Sequence, residues 1–371
     1  MANDEFIKPN SGDQKILEKI QDLLGRELEQ VAEFEWMTQG YVVDKGGVVV
    51  GLVFCNCGIN SETLQRLAGT MACLVNLTQL NLGCNELTDV SVLKRFVSLT
   101  QLYLDHNQLS DVSALAALTN LTELNLCSSQ LSDLSALKEL PNLTHLNLGD
   151  NKLSDLSVLK ELSNLTHLDL GDNQQKDILL LGKLTNLRQL YLSDSQLNDI
   201  SGLCELTNLT ELYLDHNQLS DISVLGKLTN LTQLELSNNP MSDLSVLKKL
   251  PNLTHLNLSC NQLTDLSVLK ELSNLTHLDL YENRLKDISG LCKLTNLEDL
   301  NLSENQLSDI SVLAKLTNLT RLDLSYNPIS NILPLAGLKK LNQLYIGYCA
   351  KITDEQVDDL ETALPDLEIM R

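Results

Sequence analysis

The chain has 371 residues, with 49 acidic against 27 basic side chains, a formal net charge of −22 and a pI near 4.5. That balance excludes nucleic acid and anionic membrane surfaces as ligands, because both require a cationic footprint. No apolar run reaches 18 residues, so no membrane insertion is expected.

The opening MANDEFIKPNSGDQ has neither a basic start nor an apolar core, so no secretory signal is read there. Nine scattered cysteines, an odd count, suit a reducing cytosol better than a disulfide framework, and a cytoplasmic location is expected. Ser11 and Gln14 have capping-box spacing and open a predicted helix with Ile16, Leu17, Ile20, Leu23 and Leu24 on one side. Phe34, Trp36, Tyr41, Val42 and Val43 then precede a Gly46-Gly47 turn and the strand VVVGLVF, which predicts a hairpin. Residues 1–48 are therefore assigned to an N-terminal cap of helix plus hairpin. VVGLVFCNCGI from Val49 is a degenerate first copy of the unit that follows, and a helical stretch, SETLQRLAG, separates it from Leu77. From Leu77 to Leu341 the pattern L-x-x-L-x-L recurs through twelve periods of 22 residues without insertion or deletion. The repeat region is assigned to residues 49–348 and a C-terminal cap helix to 349–371. In that helix Thr353 and Gln356 again have capping-box spacing, with Val357, Leu360 and Leu364 closing the core.

Numbering each repeat from its first leucine, as in LTHLNLGDNKLSDLSVLKELSN from Leu143, assigns every recurring residue a structural role. Leucines 1, 4 and 6 point inward from a short strand, and apolar residues at 11, 14, 17 and 20 close the core. Position 9 is Asn in ten of twelve repeats, Ser129 and Ser195 being the exceptions. An inward Asn there can serve backbone donors and acceptors left without a sheet partner, and stacked copies predict a ladder. Position 13 is Asp in eleven of twelve repeats, placed to cap the short helical turn that follows. Position 11 is broken by Gln175, which marks a local irregularity beside DILLLGKL. The nine N-L-T sequons share one phase of the repeat, so they read as a structural position, not as glycosylation sites.

A frame such as LTELYLDHNQLSDISVL from Leu209 resembles the 22-residue bacterial class of leucine-rich repeats. Internalins and a regulatory subunit of protein phosphatase 1 are of this type, and the resemblance covers roughly residues 77–348. It implies an α/β fold, a right-handed horseshoe solenoid with a concave parallel sheet, convex short helices or 3-10 turns, and helical caps. The stretch from Leu17 through Cys57 is similar to what precedes the repeats of bacterial Roco proteins, in which such repeats lead into a GTPase. No G-x-x-x-x-G-K-[ST] loop is present here, so no GTPase activity carries over.

A longer period lies inside the first. Residues 137–170 and 247–280 match at 29 of 34 positions, 110 residues apart, which reads as duplication of a five-repeat block. Positions 2, 3, 5, 7 and 8 fall on the concave face or its rim. All six histidines lie there: His145, His167, His255 and His277 at position 3, His106 and His216 at position 8. Seven of the eight tyrosines and fifteen acidic residues join them, against only Arg188 and Arg321. An acidic face with aromatic anchors suits a basic protein or peptide partner. Tyr103, Tyr191 and Tyr213 are expected as anchors, Asp105, Asp169, Asp215, Glu235 and Asp279 as electrostatic steerers, and Tyr281 as a further contact.

Other readings stand beside that one. The chain could be a passive spacer or oligomerisation scaffold of a larger signalling system. A carbohydrate could occupy the Tyr/Asp face. His145, His167 and Asp169 form a minor metal candidate, since stacked strands lie about 4.8 Å apart and His-His-carboxylate is a workable zinc shell. No nucleophile elbow, C-x-x-C pair, H-E-x-x-H or phosphate loop occurs, so no enzyme activity and no cofactor are expected.

Overall fold

A computed structural model describes residues 7–32, 34, 38–173, 175 and 177–371. It divides into two units, Met1–Gln175 and Lys176–Arg371. Trp36 of the expected hairpin lies outside the described residues.

The first unit opens with helix α1 (Ser11–Leu24), which buries Leu17 and Ile20. Its cap corrects the expectation from Ser11. Asn10, in extended conformation, accepts from the backbone N–H groups of Gly12 and Asp13, both at 2.9 Å. Asn10 prevails because its backbone N–H is also tied to Gly47 O at 2.7 Å, which fixes the chain direction one residue earlier. Strand β1 (Glu29–Gln30) pairs in parallel with β2 (Gln39–Val43), which forms an antiparallel hairpin with β3 (Val49–Phe54). After α2 (Ser61–Met71), one strand per repeat follows: β4 (Gln79–Asn81), β5 (Gln101–Tyr103), β6 (Glu123–Asn125), β7 (His145–Asn147) and β8 (His167–Asp169). From β3 onward these pair in parallel, and from β4 onward each residue faces the one 22 positions later.

The second unit continues the frame with β9 (Gln189–Tyr191), β10 (Glu211–Tyr213), β11 (Gln233–Glu235), β12 (His255–Asn257), β13 (His277–Asp279), β14 (Asp299–Asn301), β15 (Arg321–Asp323) and β16 (Gln343–Tyr345). Helix α3 (Asp354–Ala363) and β17 (Glu368–Met370) follow, all neighbouring strands pairing in parallel. The Thr353 side chain caps α3 by accepting from Gln356 N–H, while Gln356 reaches back to Ser330 O at 2.9 Å. The side opposite the strands carries 3-10 turns, one per repeat, such as Ser113–Ala117 and Ser245–Lys249.

The leucine frame is buried almost without exception, as at Leu99, Leu102 and Leu104, each 0% exposed. Three polar ladders supply what the leucines lack. At position 9, Asn151 Nδ2 donates to Leu126 O, Leu148 O and Gly149 O, while its Oδ1 accepts from Leu131 N–H at 2.8 Å. One side chain thus closes backbone groups of two consecutive repeats. At position 13, Asp111 accepts from Ser113 N–H at 2.7 Å and so starts the 3-10 turn. The N-L-T asparagines form the third ladder. Asn120 Nδ2 donates to Val97 O at 2.8 Å, and Asn142, Asn208 and Asn318 repeat the bond one turn along. Gln175 fills position 11 as a buried side chain whose amide donates to Leu170 O at 2.9 Å.

Candidate functional site

Each strand presents positions 3 and 5 on the face away from the leucines, because side chains alternate along a strand. Parallel in-register pairing then stacks like on like. His145 and His167 lie ring to ring at 4.0 Å and 13°, and His255 and His277 at 4.2 Å and 11°. Tyr191 and Tyr213 stack at 4.1 Å and 9°. In the second unit, Glu235, His255, His277, Asp279 and Asp299 line one open cleft.

The histidine tautomers follow from the threonine beside them. Thr144 Oγ1 donates to Thr122 O at 3.0 Å, so it accepts from His145 Nδ1–H at 2.9 Å. Thr166, Thr254 and Thr276 do the same for His167, His255 and His277. Each imidazole therefore carries its proton on Nδ1, which leaves Nε2 as the acceptor nitrogen. Rings stacked face to face carry those lone pairs side by side, not converging on a point. Among the described residues no group of three or more His, Cys, Asp or Glu is placed to hold a metal ion. The candidate His145, His167 and Asp169 is not such a group.

Position 5 separates residues with a structural duty from residues without one. Where it is Asn or Asp, the side chain accepts from the position 7 N–H and closes the turn off the strand. Asn147 binds Gly149 N–H at 2.9 Å, Asp169 binds Gly171 N–H at 2.9 Å and Asp279 binds Tyr281 N–H at 2.8 Å. Tyr103, Tyr191, Tyr213, Tyr345 and Glu235 occupy the same position and make no such bond. Tyr103 instead donates to Glu123 Oε1 at 2.6 Å and packs against Phe34 from the N-terminal segment, ring centroids 5.1 Å apart. Tyr213 donates to Glu211 Oε2 at 3.2 Å.

Asp105 corrects the expectation for it. At position 7 it is fully buried, and Asn125 Nδ2 donates to its Oδ1 at 3.2 Å, so it is not a surface steerer. Asp215 stays half-buried and accepts from Ser193 Oγ at 2.6 Å. Position 8 adopts the left-handed conformation throughout, with φ from 48° at Asp172 to 58° at Tyr348. Asn, Asp and His tolerate that region best. His106, His216 and the rim aspartates Asp150, Asp172 and Asp194 therefore have a conformational reason to be there. His216 also contacts Asn238 at 2.7 Å.

Burial pushes the carboxyls of Asp169, Glu235 and Asp279 above the ordinary range, and the Gly171 and Tyr281 N–H groups only partly offset it for the two aspartates. The turn-starting Asp111, Asp155 and Asp221 move down instead, held by serine backbone N–H groups. A carboxyl raised in the folded state opposes folding above its folded value, and that opposition fades as pH falls toward its unfolded 3.8. Asp279→Asn retains the acceptor for Tyr281 N–H, as Asn257 and Asn301 do in neighbouring repeats. It is expected to raise the urea midpoint at pH 7, with the gain vanishing below the ordinary aspartate value. A gain that persisted at low pH would show that desolvation of the charge is not its source.

A family model described as Leucine Rich repeats (2 copies) matches residues 97–139, 185–227, 229–271, 273–315 and 317–368. Two further leucine-rich repeat models match 119–174 and 74–94. The chain belongs to the leucine-rich repeat family. Its repeats are internalin-like. The chain is 37% identical to an internalin from Listeria monocytogenes, covering 91% of this chain and 97% of that one, with a TM-score of 0.74. A leucine-rich repeat protein of Leptospira interrogans is 25% identical over 99% of this chain and 100% of that one, with a TM-score of 0.78. The crystal structure of PEPR1-AtPEP1 is 26% identical over 89% of this chain and 49% of that one, with a TM-score of 0.63. No curated protein matches the chain by sequence. No helix among the described residues is long and apolar enough to cross a membrane.

Tyr326 and Tyr348 are not among the expected anchors. Both carry bulky rings in the left-handed backbone at position 8, where other repeats use smaller or polar residues. The signal lay in their phase within the repeat.

Proposed function

We propose that the chain is a non-catalytic protein-binding module whose strand face takes a basic protein or peptide. The observation that carries this reading is the Tyr191–Tyr213 stack. It stands at position 5, where most repeats spend an Asn or Asp on the turn, and both rings stay partly exposed beside Glu211 and Glu235. Aromatic side chains free of a structural duty and set among carboxylates can anchor a cationic partner. In the second unit Asp215, His255, His277, Asp279 and Tyr281 extend the proposed surface, and His145, His167 and Asp169 offer a like set of side chains on the first unit. Leucine-rich repeat folds serve generally as interaction modules, and the PEPR1-AtPEP1 structure is a complex on a similar fold. Nine thiols free of disulfides support a reducing, cytosolic setting.

The test is a surface-plasmon titration of the captured native partner against wild type and Tyr191→Ala/Tyr213→Ala. Loss of two anchors is expected to weaken affinity by roughly tenfold or more, and the on-rate should fall steeply with added salt. Unchanged affinity together with a salt-insensitive on-rate would leave the spacer or scaffold reading in its place.

A further inference from the structure

The position 8 rim of the second unit carries a feature that the fold does not require. Tyr326 and Tyr348 hold φ of 57° and 58°. A bulky aromatic side chain is disfavoured in that region, whereas Asn238 and Asp194 fit it at the same phase. The two rings stack at 4.3 Å and 16°, yet remain 49% and 77% exposed. Their stacking therefore covers neither of them. Strained backbone spent on exposed aromatic surface points to a ligand more than to stability.

The surroundings define that ligand's charge. Glu282 and Glu304 precede Tyr326 on the same rim, and both are exposed. Tyr281, on the repeat before Glu304, donates to its Oε1 at 3.2 Å, and Glu304 in turn stands one repeat before Tyr326 at the same phase. No lysine or arginine forms an ion pair with Glu282 or Glu304 among the described residues. On the strands of the same two repeats the chain already makes the matching contact, with Arg321 Cζ lying 5.2 Å from the centroid of the Tyr345 ring.

The geometry points to a guanidinium-binding step: an arginine side chain of a basic partner stacks on the Tyr326–Tyr348 pair and is paired by the Glu304 carboxylate. A planar guanidinium suits both faces of this arrangement, whereas a lysine ammonium gives a point charge without stacking. The step deepens the basic-partner reading and rests on it.

Calorimetric titration with hexa-arginine and hexa-lysine tests it, using wild type and Tyr326→Asn/Tyr348→Asn. Asparagine suits the left-handed backbone, so the variant is expected to keep or raise the thermal midpoint while its net charge is unchanged. Wild type should prefer hexa-arginine by roughly threefold or more, and the variant should lose that preference. A preference that survives in a folded variant overturns the step and leaves the basic-partner reading intact. Wild type binding neither peptide overturns both. Loss of cello-oligosaccharide binding in the variant, with peptide binding unchanged, would make the pair a sugar platform and would likewise overturn the step.

Discussion

Asn283→Ala is expected to lower stability by about 3–5 kcal/mol, measured as a fall in the urea midpoint with the slope checked for lost cooperativity. The side chain is 6% exposed, and its Nδ2 donates to Leu258 O, Leu280 O and Tyr281 O. Its Oδ1 accepts from Leu263 N–H at 2.8 Å and Asn261 N–H at 3.3 Å. Alanine takes these partners from Leu258 O, Leu263 N–H and Asn261 N–H in a dry interior, while Leu280 O keeps Asn305 Nδ2 and Tyr281 O keeps Cys260 N–H, and each unsatisfied group costs roughly 1–3 kcal/mol. Asn283 and those three groups belong to consecutive repeats, so the break falls at a nearest-neighbour interface, the element on which a solenoid depends. Serine should cost less. The chain itself places Ser129 in the ladder, where Oγ still reaches Leu104 O and Cys127 O at 3.3 Å. Aspartate should cost most, since a carboxylate cannot donate to three carbonyl oxygens. An alanine variant within about 1 kcal/mol of wild type would show that water replaces the amide, contrary to the argument.

The ladder was legible in the sequence because its cause is local. A fixed turn leaves the same backbone groups bare in every repeat, and the same residue must answer them. The leucine frame and position 13 aspartates are legible for the same reason. The functional face was only partly legible, because its residues mix two causes that composition cannot separate. Asp169 and Asp279 bear charge and also close the turn off the strand, while Tyr191 and Tyr213 do not. Position 8 collects Asp and His through backbone conformation, so fifteen acidic residues overstate the charge chosen for a partner. Contacts from distant sequence were invisible in principle. Phe34 against Tyr103 joins residues with no shared period, and it makes Tyr103 a more covered anchor than its phase implied. Asp105 has the same phase as Asp215, yet only Asp105 is fully buried, and only the packed neighbours show it.

Gly290→Val is the second change with a large expected effect, because it installs the commonest residue at its phase. Val92, Val158, Val224, Val246, Val268 and Val312 all occupy position 16, so repeat consensus alone would call the substitution stabilising. The packing reverses that sign. A Cβ on Gly290 would fall inside contact distance of the carbonyl oxygen and carbon of Leu266, which are backbone atoms of the preceding repeat and cannot swing aside. The 3-10 turn there is also short, Ser289–Leu291, against five residues in most repeats. Alanine should already destabilise, and valine more, by about 2–3 kcal/mol, read as a graded drop in the thermal midpoint. The residue 110 positions earlier is Leu180, so the duplicated blocks share their leucines while their turn sides pack differently. Gly290 lies away from the strand face. A folded Gly290→Ala variant should therefore keep partner affinity at Tyr191 and Tyr213, although its midpoint falls. A valine variant as stable as wild type would mean that the repeats can slide apart at this turn, and that the close approach at Leu266 is not fixed by the surrounding core.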